Sequence, residues 1–219
     1  MHKRGIDLLN ESLGQPFDWR RVPVVVPITT GLSVIGPDDV IGVGVATLDS
    51  PLCDWVIIQG RDWEATSQYT GITADYYQRA AMDEHDASLR IQQLLEEWPV
   101  CVSFADRLVT NACLALKIRS RSVHLGNLVR WVEMAQPVKR RDPEDGQEDK
   151  PVTYDQVLIA AAKTPSRVLG RVDLLRRCQV NVDTIGERPE MPAMGVALLR
   201  DQALWGRILE MPVGLTGIS

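Results

Sequence analysis

The chain has 219 residues, 45% of them apolar and 24% charged, with a net charge of −5 and a pI near 5.3. That length suits one α/β domain with decorations, able to bury roughly 70% of its unfolded surface, and the composition is that of an ordinary soluble globular protein. The acidic balance argues against a dedicated nucleic-acid binder, which carries a basic excess or at least a basic face.

Residues 1–20 read as a short amphipathic arm, with Ile6, Leu8, Leu9 and Leu13 at helical spacing. Three apolar runs follow as strands, Val22–Ile28, Val40–Leu48 and Leu52–Gln59, separated by the turn residues Asp38-Asp39 and Asp49-Ser50-Pro51. After Gly60 the period becomes helical. Helices are predicted over Thr73–Ala80 and Asp83–Trp98, the second with Asp83 as N-cap and Pro99 as its stop. A short buried strand at Val100–Phe104 leads into a helix over Asp106–Ile118, and a strand at Ser122–Leu125 into a helix over Asn127–Ala135. Residues 137–151 carry dense charge of both signs between prolines and form a loop insertion. Three further helices are predicted over Thr153–Ala162, Ser166–Cys178 and Ala193–Glu210. The domain thus runs from 21 to 211, with a tail at 212–219.

Cys53, Cys101, Cys113 and Cys178 show no CxxC pair and no His at ligand spacing, so no zinc site is expected. The start, Met1-His2-Lys3-Arg4, lacks the apolar run of a signal peptide, and no stretch of apolar residues is long enough to span a bilayer. A cytoplasmic protein without membrane contact is expected. His85 and His124 have no Cys or carboxylate at catalytic spacing, and nucleotide-loop and serine-elbow motifs are missing. Trp63, after Gly60-Arg61-Asp62, is the tryptophan best placed to stand exposed as a partner anchor.

The segment Val24-Val25-Val26-Pro27-Ile28-Thr29-Thr30-Gly31-Leu32-Ser33 resembles the first motif of the DEDD-type 3′–5′ exonucleases, the DnaQ-like family, which opens Asp-x-Glu-x-Thr-Gly-Leu. Val26 stands at the Asp position and Ile28 at the Glu position. Val40–Val45 is similar to the family's second strand, and Tyr69-Thr70-Gly71-Ile72-Thr73 to its His-Gly-Ile-Thr segment. Val100–Leu108 aligns with Val-x-His-Asn-Ala-x-Phe-Asp, placing Leu108 at the second Asp, and Gly126-Asn127-Leu128 corresponds loosely to an Asp-Thr-Leu element. Met191–Ala197 aligns with His-x-Ala-Leu-x-Asp-Ala, so Met191 replaces the general-base His and Val196 the last metal-binding Asp. Taken singly, Val26 and Ile28 read equally as core strand residues of an unrelated α/β protein; order and spacing together carry the resemblance. It implies an α/β, ribonuclease-H-like mixed sheet: an antiparallel three-strand meander plus parallel strands, flanked by helices.

The resemblance also implies lost chemistry. The family hydrolyses phosphodiesters with two divalent metals about 4 Å apart, and such ions need hard oxygen ligands. Val26, Ile28, Leu108 and Val196 offer none, and the Met191 thioether takes no proton from water. The nearby acids Asp106 and Asp201 are displaced from the motif positions, and Glu190, which could face the groove, is one acid where a two-metal site needs several. No cofactor or metal is therefore expected. Apolar side chains there would bury one another as a closed plug or shallow pocket.

Three readings follow. The first is a catalytically inactive exonuclease-fold protein that acts as a binding or scaffold subunit in a nucleic-acid-handling assembly. Its partner is protein, and its contact surface is the former active site: Val26, Ile28, Thr30, Gly31, Leu32, Leu108, Met191 and Val196. The second is a single-stranded nucleic-acid binder using the old groove with Arg107, Lys117 and Arg119. The third is an active metal-dependent exonuclease with displaced ligands. Oligomeric state is not legible.

Overall fold

The computed structural model describes residues 1–50, 53–138, 150–164, 169–181, 185 and 193–214. Its centre is β1 (Val24–Thr29), where side chains alternate between two buried faces. Strands β2 (Val40–Ala46) and β3 (Asp54–Ile58) continue from it as an antiparallel meander, pairing Val26 with Gly44 and Val43 with Val56. On the other side of β1, strands β5 (Val100–Ser103) and β6 (Arg121–His124) run parallel to it. The two-residue β4 (Ala81–Met82) adds a parallel edge to β3, giving the order β4-β3-β2-β1-β5-β6. This is a ribonuclease-H-like mixed α/β sheet, as the motif order implies.

Helices cover both faces. On one, α4 (Glu84–Leu95) and α5 (Asp106–Ala115) place Ile91, Leu95, Val109 and Cys113 against Val25, Val43 and Val56. Asp83 caps α4 as expected, its carboxylate accepting the His85 N–H at 2.8 Å. On the other face lie α1 (Gly5–Leu13), α6 (Leu125–Met134), α7 (Tyr154–Ala162), α8 (Arg171–Arg177) and α9 (Ala193–Glu210), which build the main core around Val24 and Val26. Two short helices, α2 (Ser67–Thr70) and α3 (Ala74–Ala80), bridge β3 to β4. Gly44 of β2 lies beneath the Trp55 indole, where an added Cβ would meet the ring at 2.3 Å. The missing side chain lets that ring lie flat on the sheet.

The N-terminal segment is not an arm. Leu8, Leu9, Leu13 and Trp19 are all in the main core, and Trp205 Nε1 on α9 donates to the Trp19 carbonyl at 3.2 Å. Gly5 packs so tightly on α9 that a Cβ there would lie 2.1 Å from the Ile208 carbonyl oxygen. Residues 212–214, the described part of the expected tail, pack on this segment: Val213 N donates to Lys3 O at 2.8 Å, next to the bond from Gly5 N to Met211 O at 2.7 Å. A nine-residue helix with an apolar stripe is marginal alone, so it is stable only where that stripe is covered. The predicted loop insertion and the first turn of the Ser166–Cys178 helix fall largely on residues outside the described ones. No described helix is long and apolar enough to cross a membrane.

Candidate functional site

Parallel pairing of β1, β5 and β6 brings their carboxyl ends to one edge of the sheet, and the β1–β2 turn joins them there. This edge is where strand ends in open α/β sheets present side chains to ligands.

Val26 and Ile28, two apart on β1, share the face covered by α9. Val26 is 7% exposed in the main core with Leu198, Leu204 and Trp205 of α9. Ile28 is 1% exposed in a smaller cluster with Ile41, Ile57, Ile72 and Met194 of α9. The register explains part of this packing. Ile28 pairs with Gly42 and Thr29 with Val40, so Ile41 is an extra residue whose bulge turns it into the Ile28 cluster. At these two positions the apolar side chains are buried.

The other motif positions are less enclosed. Leu108 on α5 and Val196 on α9 are half-buried and belong to none of the core clusters. Met191 and Glu190 lie outside the described residues. Thr30, Gly31 and Leu32 sit in the β1–β2 turn, where Leu32 is 96% exposed. Arg107, Lys117 and Arg119 do not form one patch. Arg107 is in the first turn of α5, whereas Lys117 and Arg119 follow its last turn. The helix is about 15 Å long at 1.5 Å per residue, so they lie at opposite ends of the parallel strands.

Of the displaced acids, Asp201 has a partner of its own. Asp201 is fully buried on α9 and accepts both Arg171 Nε at 2.9 Å and Arg171 Nη2 at 3.2 Å. It also accepts the Phe104 N–H at 3.4 Å, while the Arg171 guanidinium lies 4.7 Å over the Phe104 ring. Burial pushes the Asp201 carboxyl above its ordinary value; the Arg171 charge and the hydrogen bonds from Arg171 and Phe104 oppose that rise. Ser103, fully buried at the end of β5, accepts the Ala105 N–H at 2.9 Å. Its oxygen therefore shapes the β5–α5 turn. Among the described residues there is no group of three or more His, Cys, Asp or Glu placed to hold a metal ion.

His124 is the titratable group at this edge that spacing did not single out. Its Nδ1 accepts the Gly126 N–H at 2.9 Å and caps α6, and its ring lies 5.0 Å from the Phe104 ring. Burial holds its pKa below the ordinary value; Asp106 opposes this and Arg171 adds to it. The folded protein therefore binds a proton at this site less readily than the unfolded chain. Its stability contribution is complete above the unfolded value near 6.5 and is lost as pH falls through it towards the folded value. Thermal melts from pH 7.5 down to 5 should show a decline in Tm that is shallower for His124→Asn, which keeps a capping acceptor without the titration. Parallel declines would assign the effect to other groups.

Trp63 is not an exposed anchor. It is half-buried and stacks on Tyr77 with ring centroids 5.2 Å apart. The exposed side chains at this edge are instead Leu32 and Ile35 in the β1–β2 turn. That turn has been built by Asp39, whose carboxylate accepts Ile35 N at 2.8 Å, Gly36 N at 3.0 Å and Thr30 Oγ1 at 3.2 Å. The two backbone bonds, Ile35 first, hold the Asp39 carboxyl below its ordinary value. An Asp four residues from a backbone donor is a legible loop signal, and it was there in Ile35–Asp39.

Fold and site together define a ribonuclease-H-like α/β domain whose central strand turns apolar side chains, not carboxylates, beneath α9. No family model matches the chain, and no curated protein or solved structure matches it.

Proposed function

We propose that the protein is a catalytically inactive member of the exonuclease-like class that works by binding, as a scaffold or accessory subunit whose partner is a protein. One observation carries this reading: Val26 and Ile28, at the positions where the resemblance expects the first two metal-binding acids, are buried under α9 in apolar clusters. Two-metal hydrolysis requires several oxygen ligands converging on one cleft. Among the described candidate substitutes, Asp201 is spent on Arg171, and Asp106 has no further His, Cys, Asp or Glu gathered with it into a group of three among the described residues. The role in a nucleic-acid-handling assembly rests on the motif resemblance alone. Nothing favours the groove-binding alternative, since its three basic residues are divided between two ends of the sheet.

The test is a pair of measurements on the full chain. Calorimetric titration with Mn²⁺ should give no saturable binding in the micromolar range, and fluorogenic single-stranded DNA and RNA should stay intact with Mn²⁺ present. Stoichiometric binding or cleavage overturns the reading. A gel shift with an oligonucleotide that weakens steeply with added salt would replace it with the nucleic-acid alternative.

A further inference from the structure

The β1–β2 turn places two aliphatic side chains in water on a backbone that is held in place. Leu32 is 96% exposed and Ile35 92%. Single exposed aliphatics are ordinary, but here two lie within four residues of a turn fixed by three hydrogen bonds to Asp39. A second tether comes from Arg61, whose side chain is only 8% exposed and pairs with Asp38 of the turn and, at 3.0 Å, with Glu84 of α4. The tip is therefore preorganised, and a partner that covers it orders little new chain.

On its β3–β4 side the surroundings of that tip are acidic. Asp38, Asp62, Glu64, Asp83, Glu84 and Asp86 are all exposed. They gather at one edge because β3 and β4 end beside the β1–β2 turn, where Ile58 pairs with Met82 and Gln59 N donates to Met82 O at 2.8 Å. Arg61, the cation that meets Asp38 and Glu84, is itself buried. Such a surface repels a phosphate backbone and attracts cationic side chains.

Resting on the binding reading above, we infer that this turn is a docking point for a protein partner that presents a Lys/Arg-rich segment with an aliphatic or aromatic side chain at its centre. The apolar side chain covers Leu32 and Ile35, and the cations face the carboxylates on the β3–β4 side. Specificity then comes from charge placement around a small dry centre, the usual anatomy of a modest interface.

The full chain should be panned against a randomised peptide library displayed on phage. Enriched sequences are then synthesised, and their affinities measured by fluorescence anisotropy for the wild type, for Leu32→Ser/Ile35→Ser and for Asp62→Asn/Glu64→Gln. These four side chains are exposed, so the variants should melt with the wild type. The expected result is enrichment of cationic peptides with one bulky apolar residue. Their affinity should fall roughly tenfold or more in the apolar double variant, fall less in the charge variant, and weaken with salt. Failure to enrich any peptide, or enrichment of uncharged or acidic ones, overturns the inference. Cationic peptides that bind Leu32→Ser/Ile35→Ser undiminished also overturn it while leaving a binding role intact, whereas nuclease activity in the preceding assays removes the role itself.

Discussion

Ile28→Asp should be the most damaging single substitution at the positions aligned with the exonuclease motifs, costing on the order of 4 kcal/mol at neutral pH. About 2 kcal/mol of that is lost apolar burial, and the rest is the desolvation of a carboxylate with no cation beside it. Ile28 is 1% exposed among Ile41, Ile57, Ile72 and Met194, none of which can pair with a charge. The new acid would have a strongly raised pKa, so the cost has a defined pH dependence. At a pH below the unfolded carboxyl value, near 3.9, the group is neutral in both states and the loss is smallest. It grows as pH rises towards the folded value. Leu108→Asp is the control, because Leu108 is half-buried and outside the core clusters; its cost should be about 1 kcal/mol. Urea unfolding of both variants at pH 4.5 and 7.5 would check this. A neutral Ile28→Asp, or one stabilised by Mn²⁺, would mean that β1 still opens onto a cation site and that α9 does not close it.

Residue pattern carried the sheet and several helix boundaries because these depend on local chemistry. The valine runs, with acids at their turns, became β1 to β3 within two residues of expectation, and Asp83 and Pro99 bracketed α4. The stripe on α1 was also visible, but stripes do not say what covers them; α9 and the β1 face do. The two residues of β4 carry no period that could reveal a strand. The Thr-Gly-Leu turn drew attention to Val26 and Ile28, but their burial required knowing that α9 crosses β1. Asp201 looked like a stray acid because its partner is thirty residues away on α8. Trp63 looked exposed because its cover, Tyr77, comes from α3, fourteen residues further along the chain. Pairings of this kind leave no local trace.

The Arg171–Asp201 pair supplies the second large effect. Asp201→Ala should cost about 3–5 kcal/mol, the range for removing one partner of a buried ion pair. The substitution leaves the Arg171 guanidinium with its donors unfilled and the Phe104 N–H without its acceptor. Arg171→Met should cost a similar amount, since it strands a carboxylate that is fully buried. The double variant Arg171→Met/Asp201→Leu should recover most of the loss, because well-packed apolar groups often replace a buried pair without penalty. Chemical denaturation of the four species gives the coupling energy directly. A double loss far below the sum of the single losses assigns the pair to architecture: it ties α8 and α9 to the β5–α5 turn, and α9 in turn closes over Val26 and Ile28. Additive single losses would instead mean that Asp201 is stabilised independently of Arg171. The Phe104 N–H and the surrounding burial would then account for its place in the core without Arg171.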